Sequence, residues 1–334
     1  MPQPAKTREP EEASLSRFRA ALLGWYGRHK RALPWRSDGD PYRVWVSEIM
    51  LQQTRVAAVL DHYRLFLEAF PTIQALASAP EERVLALWSG LGYYRRARLL
   101  HRAARFVVEE LGGEIPATQA ALRKLPGVGR YTAAAIASIS HGEPVAVVDG
   151  NVARVLSRLD GVPRDDASAW PRAQQILDLR SPGDWNQAMM ELGATLCTPQ
   201  APQCLLCPVR EWCRAPGAAV GRPQAARKQV RMRRALVEHS HRVYLVQRPG
   251  DAPKMAGMWE LPEVAEPAAH SEEKQLFVVH HSITDTDYEV RVLGLPLKAL
   301  AAKEKRAGRW VPCSEIWKLP LTGLARKILH KQGL

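Results

Sequence analysis

Apolar residues recur at helical spacing over most of the first two thirds of the chain. In 16–30 they fall at Phe18, Leu22, Leu23 and Tyr26, the stripe of an amphipathic helix. A second helix is predicted over 41–59, opened by Pro41, which suits a first helical position. The same period places helices over 60–69, 81–87, 97–111, 119–124, 131–140, 151–159, 172–179 and 185–196. Gly or Pro separates many of them, and the segments are too irregular for a solenoid repeat. After residue 234 the texture changes. Stretches 235–247, 275–281 and 288–292 are rich in β-branched residues, 310–312 is a further short strand, and a last helix fits 321–331. The predicted architecture is a mainly α N-terminal region followed by an α+β domain with a mixed sheet. Residues 1–14 read as a disordered tail, 15–219 as the helical body, 220–234 as a linker and 235–334 as the C-terminal domain.

Charge sharpens this picture. The 334 residues carry a formal net charge of +13. Residues 236–334 hold 14 Lys/Arg against 12 Asp/Glu, so the excess lies in the helical region and in 221–234, which has six Arg/Lys and no acid. A basic body with a basic linker suits a polyanionic partner. No apolar run reaches the length of a membrane-spanning helix, and the polar N-terminus lacks the apolar core of a signal peptide. The chain is therefore expected to be cytoplasmic, with its thiols reduced and with no membrane partner.

The cysteines carry the most specific chemistry. Cys197, Cys204, Cys207 and Cys213 are spaced C-x6-C-x2-C-x5-C, while Cys313 lies far away. Four thiolates this close in sequence can converge on one metal centre, and the spacing alone admits zinc or an iron–sulfur cluster. Upstream, Leu125-Pro126-Gly127-Val128-Gly129 lies between two predicted helices. Gly127 and Gly129 permit a tight turn whose backbone N–H groups point outward beside a helix N-terminus, a natural phosphate cradle. Two carboxylates then stand out. Glu48 sits in the apolar run Val44-Trp45-Val46-Ser47-Glu48-Ile49-Met50-Leu51, where burial would raise its pKa and suit it to act as an acid. Asp149 precedes a helix start at Asn151, where local donors would keep it ionised.

Taken with Arg31-Ala32-Leu33-Pro34-Trp35-Arg36, Ser47-Glu48-Ile49-Met50-Leu51-Gln52-Gln53-Thr54, Gly90-Leu91-Gly92-Tyr93-Tyr94 and Val147-Val148-Asp149-Gly150-Asn151-Val152-Ala153-Arg154, these features resemble the helix-hairpin-helix DNA glycosylase superfamily, and within it the MutY-type adenine DNA glycosylases. The resemblance implies a six-helix barrel plus an iron–sulfur cluster domain, a [4Fe–4S] cluster on the four cysteines, and base-excision repair of adenine mispaired with 8-oxoguanine or guanine in double-stranded DNA. It implies that Glu48 protonates the adenine and that Asp149 stabilises the sugar cation or a covalent adduct, with Tyr131 and Asn151 orienting the acidic pair. Trp35, Arg36, Leu51 and Glu191 match positions lining the adenine pocket, Arg31 is expected to bind substrate with them, and Gln53 and Tyr93 match residues that wedge into the duplex. Relatives resembling endonuclease III carry Lys where this chain has Tyr131; a phenol cannot form a Schiff base, so the chain is expected to be monofunctional.

Residues 241–262 resemble the Nudix-like domain that follows the glycosylase body in this family, without the acidic hydrolase box. Its lesion-reading tip departs from the family's Phe-Ser-His: here the segment is Val279-His280-His281-Ser282-Ile283-Thr284-Asp285, leaving His281 and Ser282 as the expected lesion contacts. The loop 198–203 also lacks the Lys or Arg often found there. A monomer associated with the nucleoid is expected. Two alternatives share parts of this pattern: a thymine glycosylase acting on G·T mismatches, and a non-catalytic DNA-binding redox sensor.

Overall fold

The computed structural model describes residues 11–218, 226–265 and 274–334. Thirteen helices are present among them: α1 (Glu11–His29), α2 (Pro41–Leu51), α3 (Val56–Ala69), α4 (Ile73–Ser78), α5 (Glu81–Trp88), α6 (Arg95–Glu110), α7 (Gln119–Leu122), α8 (Arg130–His141), α9 (Gly150–Asp160), α10 (Asp166–Ile176), α11 (Pro182–Thr195), α12 (Ala302–Ala307) and α13 (Gly323–Gln332). The strands are β1 (Lys228–Leu236), β2 (Glu238–His239), β3 (Arg242–Gln247), β4 (Trp259–Glu260), β5 (Lys274–Ile283), β6 (Thr286–Gly294) and β7 (Gly308–Pro312).

Contacts divide the chain into two compact units: Met1–Gln52 with Phe106–Pro223, and Gln53–Arg105 with Gln224–Leu334. The first is helical. Its core packs Leu22, Val155, Leu156, Trp185 and Leu192 with the rest of an apolar cluster drawn from α1, α8, α9, α10 and α11. Two glycines of α11 make that packing close. A Cβ on Gly183 would lie 2.7 Å from Ser138 O, and one on Gly193 would lie 2.6 Å from the Cβ of Asn151.

The second unit is mixed. Strand β1 runs parallel to β6, and β5 pairs antiparallel with β6, giving the order β1-β6-β5. A second sheet joins β2, β3 and β4, with β7 on β3. The outer strand β5 does not offer a bare edge. Lys327 and Lys331 of α13 donate to the carbonyls of His280 (2.6 Å) and Val278 (3.0 Å), blunting it against further strand pairing. Helices α3–α5 and most of α6 group with these strands. Ser89 Oγ and Tyr94 OH both donate to Leu321 O, at 2.6 and 3.1 Å, and Arg98 donates to Ala256 O. Such contacts span more than 150 residues of sequence and leave no local signal, which is why a boundary drawn from texture alone falls elsewhere.

Several expectations need correction. Helix α1 begins at Glu11, so 11–14 are not tail; residues 1–10 lie outside the described residues. The basic segment read as a linker is a strand from Lys228 onward, with 219–225 outside the described residues. Its arginines disguise the alternation by which Val230, Met232 and even Arg234 turn inward. Buried Arg234 donates to Leu261 O at 3.0 Å and lies 3.5 Å from Glu260. The single helix expected over 41–59 breaks between Leu51 and Val56, where Gln53 has φ 57° with no Gly or Pro to announce the turn. Helix α10 starts at Asp166 rather than at 172, set by a capping box between Asp165 and Ser168.

Candidate active site

Helix α2 opens on Asp40, whose side chain caps Arg43 N at 2.8 Å, and on Pro41. Seven of its residues besides Glu48 are buried, so the glutamate is carried into an apolar wall. The Tyr131 hydroxyl, from the first turn of α8, donates to Glu48 Oε2 at 2.7 Å. Burial raises the Glu48 pKa; the Tyr131 bond and Arg36 oppose this, the charge of Asp149 adds to it, and the result is pushed up to about 7. The carboxyl is thus about half protonated at neutral pH. Burial first, and then the charges of Glu48 and Asp149, hold Tyr131 well above its ordinary value, and it stays a phenol. It also lies 3.3 Å from the Met190 sulfur.

Asp149 is the N-cap of α9. Its Oδ1 accepts from Val152 N at 2.7 Å and its Oδ2 from Asn151 Nδ2 at 2.9 Å. Burial raises its pKa above the ordinary value in spite of these donors and Arg154. The local donors expected at this helix start are present and act to keep the group ionised, while desolvation is the largest influence and acts against them. The backbone leading to Asp149 belongs to no helix or sheet, and side-chain amides serve it. Asn186 Oδ1 accepts from Val147 N at 3.0 Å while its Nδ2 donates to Val145 O and Ser138 Oγ, both at 2.9 Å. Gln174 takes Ala146 N at 2.9 Å and donates to Pro144 O at 2.8 Å. Neither amide was legible as functional, because each acts on a segment about 30–40 residues away.

Arg154 extends the site toward the cysteines. It donates to Asn151 Oδ1 (2.9 Å), Gly193 O (2.7 Å) and Cys197 O (2.9 Å). One turn on, the fully buried Arg158 reaches Cys197 Sγ at 3.2 Å and the carbonyls of Thr198, Pro199 and Ala218. Their i, i+4 spacing within α9 is the sequence signal that marks them as a pair on one face.

Glu191, also buried, is clamped by two arginines. Arg31 binds it through Nε (2.7 Å), Nη2 (2.8 Å) and its backbone N (3.2 Å), and Arg36 through Nη2 (2.8 Å). Burial alone would raise its pKa, but these bonds and charges win and hold it down to about 2. Each Glu191 oxygen already accepts two donors, so the carboxylate orients the arginines. Trp35 is buried in the single turn Pro34–Arg36, and Leu51 is half-buried at the end of α2.

The turn before α8 has Gly127 at φ 75°, which favours glycine, whereas Gly129 is extended and caps the helix. Nothing lies within 4 Å of a Cβ placed on Gly129, so that side is open to a ligand.

In the second unit, Gln53 and Tyr93 are exposed, and both have positive φ, 57° and 48°. Non-glycine residues held this way carry backbone strain of the kind found at functional positions. Arg96 ties their loops together: it donates to Thr54 Oγ1 at 3.2 Å and Gly92 O at 3.3 Å and lies 5.4 Å over the Tyr93 ring. His281 and Ser282 lie near the end of β5. His281, half-buried, is shifted below its ordinary pKa by burial and by Lys327, and Ser282 donates to Asp287 Oδ1 at 2.6 Å.

The four cysteines line one hollow with Arg158, Arg210 and Gln203. Burial raises the thiols of Cys207, to about 11, and of Cys213. Among the described residues no three His, Cys, Asp or Glu side chains are arranged to hold a single metal ion.

Residues 46–176 match the family described as HhH-GPD superfamily base excision DNA repair protein. Over 218 residues the chain is 54% identical to the adenine DNA glycosylase of Homo sapiens, a match covering 61% of this chain and 40% of that protein. The chain therefore spans well under half the length of that relative. Among solved structures it is similar to a thermostable thymine-DNA glycosylase, with a TM-score of 0.57 and 28% identity over 61% of this chain and 96% of that one. It is also similar to endonuclease III in a non-covalent DNA complex, with a TM-score of 0.51 and 26% identity over 60% and 95%. By sequence and by fold, the helical part of this chain is similar to the HhH-GPD superfamily of base excision DNA repair proteins.

Proposed function

We propose that the chain is an adenine DNA glycosylase of base-excision repair, hydrolysing the N-glycosidic bond of adenine opposite 8-oxoguanine or guanine in duplex DNA. The contact between Tyr131 and a buried Glu48 poised near neutrality carries this reading. Glu48 delivers its proton to the base as the bond electrons leave with it. Asp149 faces the developing sugar cation, and water adds to C1′ and returns a proton to a carboxylate. Asn151 orients Asp149 through their 2.9 Å bond. No amine stands at Tyr131, so the enzyme is monofunctional. The Gly127–Gly129 turn takes a DNA phosphate, Gln53 and Tyr93 fill the stack vacated by the flipped base, and the clamped arginines, Trp35 and Leu51 bound the adenine pocket.

The four cysteines suit a [4Fe–4S] cluster: all four line one hollow, and four thiolates are the ligand set such a core takes. Bound there, the cluster fixes the loop 197–213. The protein acts as a monomer on nucleoid DNA.

The similarity to a thymine-DNA glycosylase favours one competing reading, removal of thymine opposite guanine. Base release from duplexes holding A opposite 8-oxoguanine, A opposite G, and T opposite G separates the two. Release of adenine from the first two is expected. Release of thymine alone sinks the proposal, and no release from any of the three would favour a DNA-binding redox sensor.

A further inference from the structure

A phenol hydroxyl has one proton to give, and that of Tyr131 has two acceptors beside it. It donates to Glu48 Oε2 at 2.7 Å, and the sulfur of Met190, on α11, lies 3.3 Å away. A thioether is a weak acceptor, so the carboxyl keeps this hydrogen bond. Met190 differs from the methionines around it. Met50 on α2 and Met189 beside it are buried, whereas Met190 is half-buried and reached by solvent. Its sulfur is open to a small oxidant and touches the hydroxyl that orients the buried acid.

Hydrogen peroxide converts a thioether to a sulfoxide. A sulfur lone pair attacks one peroxide oxygen and the O–O bond breaks. That oxygen stays on sulfur, and the other leaves as water with both hydrogens, so sulfur is oxidised by two electrons and the peroxide is reduced. The new oxygen is a far better acceptor than the thioether. One bond from a sulfur already 3.3 Å from the Tyr131 hydroxyl, it falls within hydrogen-bond reach of that group. We propose that Met190 is an oxidative modification site whose sulfoxide takes the Tyr131 hydrogen bond away from Glu48 and slows base release. This rests on the reading of Glu48 as the acid that protonates the base. Glu48 is faced by Tyr131, by the charge of Asp149 and by Arg36, and the Tyr131 bond acts to lower its pKa. Without that bond the carboxyl is free to turn, and its pKa rises further.

Gln carries a carbonyl oxygen near the place of the sulfoxide oxygen, so M190Q mimics the modified state and M190L the apolar one. Single-turnover adenine release is measured across pH in the full chain for wild type, M190L and M190Q, with duplex affinity alongside. M190Q is expected to be about tenfold slower than M190L, the worth of one hydrogen bond, with its alkaline fall in rate moved to higher pH. A packing fault alone would slow the enzyme without moving that fall. In a Y131F background M190Q should cost nothing further, since no hydroxyl is left to divert. Peroxide, at a dose that leaves iron content and circular dichroism unchanged, should add one oxygen at Met190 by peptide mass and slow the wild type while sparing M190L. A methionine sulfoxide reductase should then restore the rate. Equal rates and pH profiles in M190Q and M190L, with the wild type active, overturn the inference and leave the reading of Glu48 standing. A wild type that releases no adenine overturns both. Should M190Q fail to fold, the peroxide arm decides: a rate lost equally in wild type and M190L, or a Met190 that takes up no oxygen, overturns the inference.

Discussion

At the scale of single residues the site turns on where protons sit. On the proposed mechanism the acid form of Glu48 does the work, and with a pKa of about 7 it is lost as pH rises. Adenine release should therefore fall about tenfold per pH unit above about pH 8, as the protonated fraction of Glu48 shrinks, and fall again at acid pH as Asp149 takes up a proton. Glu48→Gln keeps the shape and still accepts from Tyr131, yet has no proton to give. It should bind lesion DNA normally and release adenine about 10²–10⁴-fold more slowly. Single-turnover rates across pH check both, and near wild-type turnover in the variant would remove Glu48 from the chemistry. Tyr131→Lys replaces the hydroxyl that lies 2.7 Å from Glu48 Oε2 with an amine. It should gain borohydride trapping on DNA while losing glycosylase rate. Efficient trapping of the wild type itself would mean that some other lysine is a nucleophile.

Elements decide which of these residues can meet. Helix α11 touches α9 through Gly193, and even one methyl there would collide with Asn151. Gly193→Ala should shift α9 and with it the Asp149 cap. We expect a loss of about 1–3 kcal/mol in chemical denaturation, together with a fall in kcat larger than any change in DNA affinity. Unchanged kcat would show that α9 can move without disturbing Asp149. What the sequence revealed at this scale was uneven. Glu48, Tyr131, Asp149 and the cysteines sit in local motifs, so their chemistry could be inferred from their neighbours. The corner at Gln53 has no glycine or proline, and strand β1 hides its inward Val230 and Met232 among arginines. Asn186, Gln174 and Arg96 act on partners about 28–42 residues away, and only the folded chain shows what they hold.

For the whole molecule, the charge of +13 and the cysteine hollow point to the same use. Anaerobically purified protein should be brown and contain roughly four irons per chain; a colourless, zinc-loaded preparation would rule the cluster out. Cys204→Ser should lower solubility and duplex affinity together, measured by iron content and by binding at two salt concentrations, because the loop 197–213 would no longer be fixed. Affinity lost without any loss of iron would separate the loop from the cluster.

The amides that carry the approach to Asp149 have a consequence in time. Residues 144–148 form no helix or strand, so on secondary structure alone their backbone hydrogens should exchange with solvent as fast as those of any loop. Instead Ala146 N–H and Val147 N–H are buried and given to Gln174 and Asn186. In deuterium oxide these two amides should persist as long as those in the middle of α8, and vanish early in Asn186→Ala. The stretch of chain that delivers the Asp149 carboxylate would then keep the slow clock of the protein's core while having the outline of a linker.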